Sequence, residues 1–217
     1  MEKLFTIKGV LKESYGIIKP KLWTVIGQFA LIFLVYIVLV SGLKHSSFLS
    51  TIVGLIYAFV ATVFSLSYAQ KGSFSFEDIT RALTLKRFCY FVGAAILFYA
   101  AVIGGMILLI VPGIIFAVMM YFYKYIVVER ELAPIEALKE SIRITKGYRS
   151  KLFGFALVAA LIMILGFVCL FVGALFTMPL ILIANALIYK KLVAAGTVSE
   201  KVEEVIVEVV EVETVEV

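Results

Sequence analysis

In a chain of 217 residues that is 63% hydrophobic and 16% charged, with a mean hydropathy of +1.11, the apolar side chains cannot all hide inside one water-soluble core. Lipid is therefore the expected main solvent, and nucleic-acid binding, which needs a solvated basic face, is not expected. The net charge of +5 conceals an asymmetry: residues 1–199 carry 19 Lys and Arg against 8 Asp and Glu, whereas residues 200–217 carry 1 against 7.

Residues 4–19 place Leu4, Ile7, Leu11, Ser14 or Tyr15, and Ile18 on one side of a helix, with Lys8, Lys12 and Lys19 on the other. That spacing predicts a helix lying in an interface, ended by Pro20. Residues 22–43 read as the first span, with Trp23 at an interface where an indole ring is favoured. After the polar turn Lys44-His45-Ser46-Ser47, residues 48–69 read as a second span. Its Gly54, Ala58, Ala61, Ser65 and Ser67 are small enough for close helix approach.

A second unit opens with Ser75 and Asp78, a capping-box spacing, flanked by Phe74 and Ile79 at staple positions. Phe76, Ile79 and Leu83 form the apolar side of this short helix, and Lys86 and Arg87 mark its junction with a third span at 88–111. Pro112 and Gly113 break the run, so 112–128 reads as span four, although Gly104-Gly105 could bend the chain instead. A third unit starts at Pro134, with Ile135, Leu138, Ile142 and Thr145 on one face of a helix and Glu136, Lys139, Glu140, Arg143 and Lys146 on the other. Beyond Gly147, residues 152–176 hold no charge over a length exceeding the ~30 Å of bilayer hydrocarbon. A break at 173–179 and a sixth span at 179–192 complete the unit.

Spans begin at 22, 88 and 152, a period of 66 and then 64 residues, and Leu11-Lys12-Glu13-Ser14 recurs in register as Leu138-Lys139-Glu140-Ser141. The expected fold is all-α: one six-helix transmembrane domain over 1–196, made of three repeats (about 4–69, 74–128 and 133–195), each an interfacial amphipathic helix followed by a transmembrane hairpin. Residues 197–217, almost wholly Val and Glu, are expected to be a mobile acidic tail, helical only near the membrane. With the amino terminus in the cytoplasm, 19 basic residues fall in cytoplasmic segments and only Lys44 faces out. The positive-inside rule then puts both termini and all three interfacial helices in the cytoplasm. No cleavable signal peptide is visible.

Little in the sequence points to chemistry. Cys89 and Cys169 lie at different depths and read as packing residues without a disulfide; His45 is the only histidine and sits in the outward turn. Ser65, Ser67 and Thr177 have no base nearby, and Gly104, Gly105 and Gly113 lack the lysine and strand of a phosphate loop. No catalytic residue, metal site or cofactor is expected, and the protein is read as a non-enzyme. Lys124, among Tyr121, Tyr123 and Tyr125, is the one charge at depth: a functional candidate, or a side chain snorkelling to the headgroups. Asn185 and Gln28 are the other polar side chains at depth, either interhelical glue or lining a path. Lys139, Arg143, Lys146, Arg149, Lys151, Lys86 and Arg87 are candidates for contact with anionic lipid headgroups or a protein partner, which includes a second copy of the chain.

The run Leu109-Ile110-Val111-Pro112-Gly113-Ile114, then Val127-Val128-Glu129, Ala133-Pro134-Ile135-Glu136-Ala137-Leu138-Lys139-Glu140-Ser141 and Thr145-Lys146-Gly147, resembles the membrane domain attached to some bacterial glycerophosphoryl diester phosphodiesterases and related stand-alone prokaryotic membrane proteins. The resemblance is best over 105–155. It implies a multi-helix membrane domain of undefined function. The catalytic barrel, about 250 residues in that fold, has no room here, so the phosphodiesterase activity is not implied. The expected function is a membrane domain that organises lipid or partner proteins; the alternative is a transporter or channel with a path lined by Lys124, Asn185 and Gln28.

Overall fold

The computed structural model describes residues 5–43, 46–168 and 172–215, with side chains described as far as Gly196 except at positions 110, 168, 172 and 174. Leu4, Lys44, His45 and Cys169 lie outside the described residues. Among those described, all regular structure is helical. Ten α-helices follow in order: α1 (Ile7–Ile18), α2 (Leu22–Gly42), α3 (Ser47–Lys71), α4 (Phe76–Ala82), α5 (Leu85–Leu108), α6 (Ile110–Met120), α7 (Tyr123–Arg130), α8 (Pro134–Thr145), α9 (Arg149–Val168) and α10 (Val172–Val215).

Six stretches are long and apolar enough to cross a membrane: Ile7–Gly42, Ser47–Lys71, Leu85–Leu108, Val111–Arg130, Arg149–Phe167 and Leu175–Gly196. Their outer faces carry large apolar side chains that water would not tolerate, among them Leu34 and Val38 of α2, Ile96 and Ile107 of α5, and Leu161 and Leu165 of α9. The fold is that of a multi-pass membrane protein. α1 runs into α2 through a single 3₁₀ turn at Lys19–Lys21 containing Pro20, so the proline re-aims the chain without a loop.

The hairpin breaks differ from the sequence expectation in two places. Between spans three and four the helix ends at Leu108 and restarts at Ile110, three residues before the expected point, with Pro112 inside the first turn of α6, where the missing N–H costs little. The glycines do not bend α5. A Cβ on Gly105 would sit 3.0 Å from the Gly113 Cα, and one on Gly113 would sit 2.8 Å from the Met106 backbone nitrogen, so both let α5 and α6 touch. Likewise α9 ends at Val168 and α10 begins at Val172, leaving Pro179 inside the helix rather than at its start. Gly166 supplies the close approach here, since its Cβ would meet the carbonyl carbon of Gly173 at 3.2 Å. The α10 backbone stays helical to Val215, well past the point at which valine content suggested it would stop.

One end of the bundle gathers polar ties. Lys21 Nζ donates to Gly72 O at 3.3 Å, Lys190 Nζ to Ala69 O at 3.1 Å, and Lys191 pairs with Glu13 at 2.6 Å, which fastens α10 to α1 and α3. Arg87 donates to Arg81 O and Ala82 O and pairs with Glu131, the left-handed cap of α7 at φ 55°. This end carries most of the basic residues and is called the basic end below.

Candidate functional site

The fourth span is not one helix. α6 stops at Met120 and α7 starts at Tyr123, which leaves backbone groups near the break without helical partners. α8 supplies them. Ser141 Oγ donates to Met119 O at 2.9 Å and accepts from Phe122 N at 3.2 Å, and Thr145 Oγ1 donates to Met119 O at 3.2 Å. Both side chains are fully buried. The buried face of α8 is therefore Ala137, Leu138, Ser141, Ile144 and Thr145, while Ile135 is exposed. Of the expected stripe, Leu138 and Thr145 are buried, Ile142 is half-buried and Ile135 is exposed; the buried face is turned toward Ser141, which satisfies the orphaned backbone of the break.

Immediately after the break, Lys124 is half-buried. Its Nζ donates to Tyr121 Oη at 3.1 Å and lies 4.1 Å from the centroid of the Tyr121 ring and 5.2 Å from that of Tyr125. Phenol faces and a phenol oxygen thus hold the ammonium, and no carboxylate pairs with it among the described residues. Tyr125 stacks on Tyr189 of α10 with ring centroids 5.4 Å apart, and its hydroxyl is buried without a hydrogen-bond partner. One turn closer to the basic end, Glu129 accepts from Tyr189 Oη and from Gln70 Nε2, each at 2.5 Å, so α3, α7 and α10 meet on one carboxylate.

The three polar residues singled out at depth do not share a path. Gln28 is spent inside the bundle: its Nε2 donates to Phe74 O at 3.2 Å and its Oε1 accepts from Tyr68 Oη at 2.7 Å, joining α2, α3 and the start of α4. Asn185 is buried and donates to Ile181 O at 3.0 Å, one turn back on its own helix. It lines an apolar cleft of about 370 Å³ between α6, α9 and α10, to which Tyr121 also contributes. Neither Lys124 nor Gln28 is in its lining; Lys124 is one residue removed, through its bond to Tyr121.

The basic candidates divide as well. Lys139, Lys146, Arg149 and Lys151 are exposed; Lys86 is exposed and lies 5.6 Å from the Tyr90 ring, as Lys151 does from Tyr148. Arg143 is engaged by Glu140 at 2.6 Å, and Glu140 also takes Arg130 at 3.1 Å. These arginines hold the Glu140 carboxyl below its ordinary value. Arg87 is committed to Glu131 and the end of α4, so its charge is used inside the protein. In α4, the capping box forms as the spacing predicts, and Lys71 beside Asp78 lowers that carboxyl in the same way.

Sequence reasoning missed Ser141 and Thr145 as the clamp on the break, and it missed the carboxylate shared by Tyr189 and Gln70. The available signal was the i,i+4 spacing of two small hydroxyls in an otherwise charged helix. Compared with protein-family models, curated proteins and solved structures, the chain finds no match in any of the three.

Proposed function

We propose that this is a non-enzymatic membrane protein of a prokaryotic cell membrane that organises anionic lipid, or a partner held there, against its basic end. Both termini and this end face the cytoplasm in that reading, which the distribution of basic residues supports. The recurring order of a short helix followed by two spans supports internal triplication and keeps the kinship with phosphodiesterase membrane domains as part of the proposal.

The observation that carries the lipid reading is the set of exposed cations, Lys139, Lys146, Arg149 and Lys151, at the join of α8 and α9, directly beside an apolar surface. Such residues attract anionic headgroups by about 1 kcal/mol each near a charged bilayer. Transport is the second reading, supported by the broken fourth span beside Lys124, the kind of interruption that lines binding sites in transporters. Reconstitution separates the two. Neutralising Lys139, Lys146 and Lys151 together should reduce enrichment of anionic lipid around the protein, with Lys124→Ala leaving liposomes tight to ions and solutes. Flux that disappears on Lys124→Ala would instead establish transport.

A further inference from the structure

The cleft between α6, α9 and α10 has the makings of a site. It runs from Leu152 and Phe122, near the basic end, down to Ile114, Ala159 and Ile181, and among the described residues its polar contributions are Asn185 and Tyr121. Ile114 and Ala156 on its rim are exposed, so it opens sideways to the surrounding lipid rather than to water. Asn185 as a residue is buried in the cleft wall, its amide nitrogen donates to Ile181 O, and among the described residues no donor reaches its carboxamide oxygen, which is left to face the cleft. At the basic end, Lys124 stands behind Tyr121, and the exposed Arg149 and Lys151 precede the lining residues Leu152 and Phe153 on α9.

We propose that this cleft binds one anionic phospholipid, with an acyl chain between α6, α9 and α10, its glycerol region at Asn185 and Tyr121, and its phosphate at Lys124, Lys151 and Arg149. This rests on the lipid reading above and gives it a particular site. Lipid chains are already in an apolar solvent, so entering a greasy cleft gains shape complementarity but little transfer energy. Selection must therefore come from the polar groups at the mouth. The sideways opening suits a lipid from the leaflet facing the basic end, and the ammonium of Lys124, held by phenols and by no carboxylate among the described residues, suits a net anionic headgroup over a zwitterionic one.

The test is native mass spectrometry of the full chain in mild detergent, titrated with phosphatidylglycerol and with phosphatidylcholine of identical chains. One phosphatidylglycerol should bind ahead of the rest. Ala156→Phe or Ala117→Phe, each filling the cleft from a different helix, should remove that first adduct while circular dichroism and elution volume stay unchanged. Lys124→Gln should lower the preference for phosphatidylglycerol about fivefold, the loss of one headgroup-facing charge. In the unaltered protein, a diazirine at mid-chain of phosphatidylglycerol should label Ala159 and Ile181, which are buried from annular lipid. A first adduct surviving both phenylalanine variants, or labelling that spares these two residues, overturns the cleft. If that adduct instead disappears on neutralising Lys139 and Lys146, which the cleft does not use, the wider lipid reading stands without the cleft; equal affinity for the two lipids sinks both.

Discussion

Ser141→Ala tests the central structural claim, that α8 holds the break in span four together. The hydroxyl serves two backbone groups on another helix, Met119 O and Phe122 N, in a place with no exposure. Met119 O keeps Thr145 when Ser141 is truncated, so the loss falls on Phe122 N, left unsatisfied at about 1–3 kcal/mol. Removing Thr145 as well, by the Ser141→Ala, Thr145→Val pair, orphans the carbonyl too and should bring the cost to about 2–5 kcal/mol. Ser14 is the internal control. It occupies the corresponding position in the first unit and is equally buried, but its Oγ donates only to Val10 O, on its own helix, at 2.8 Å. A carbonyl already bonded within its helix loses little when such a back-bond goes, so Ser14→Ala should cost under about 1 kcal/mol. Equilibrium unfolding in bicelles, followed by steric trapping, measures all of these. Equal losses for Ser14→Ala and Ser141→Ala, or no loss for the double variant, would refute the clamp.

At the α5–α6 hairpin, Gly113→Ala should destabilise by about 1–3 kcal/mol through overpacking against Met106, whereas Gly104→Ala, with nothing within 4 Å of the added methyl, should be neutral in thermal unfolding. Asp78 and Glu140 both have carboxyl values lowered by their basic partners, so the stability they add is complete above the ordinary carboxylate value of about 4 and is lost as pH falls through the lowered ones. Melting curves from pH 7 to pH 3 should show this acid loss, diminished in Glu140→Gln; a variant with the full wild-type loss would remove Glu140 from the account. For topology, single cysteines at Ser47, Glu77 and Lys139 in a chain with Cys89 and Cys169 replaced should react from outside intact cells at position 47 alone. Labelling at 77 or 139 with silence at 47 would invert the protein.

The helices were legible because hydropathy and length act over twenty residues at a time, and neighbouring packing does not alter that sum. The breaks were less so. Pro112 and Pro179 draw the eye as terminators, yet a proline near a helix start loses no needed donor, and one inside a membrane helix is tolerated where neighbours compensate. Gly105, Gly113 and Gly166 set the hairpins by allowing contact, a property of pairs of helices that no single segment displays.

The candidate site was legible only in part, for a related reason. Lys124 and Asn185 stand out in any apolar stretch, since a polar atom there demands an explanation; Asn185 lines the cleft, and Lys124 is bonded to Tyr121, which does. Gln28 carries the same signal but answers it internally with two hydrogen bonds across α2, α3 and the start of α4. Nothing in the residue types separates these cases; the difference lies in whether the fold brings partners within reach. Ser141 and Thr145 show the converse, because on an amphipathic helix small hydroxyls pass for neutral spacers. Their importance arises from a break twenty residues earlier, where the interrupted helix orphans two backbone groups that a short hydroxyl on α8 can reach and satisfy.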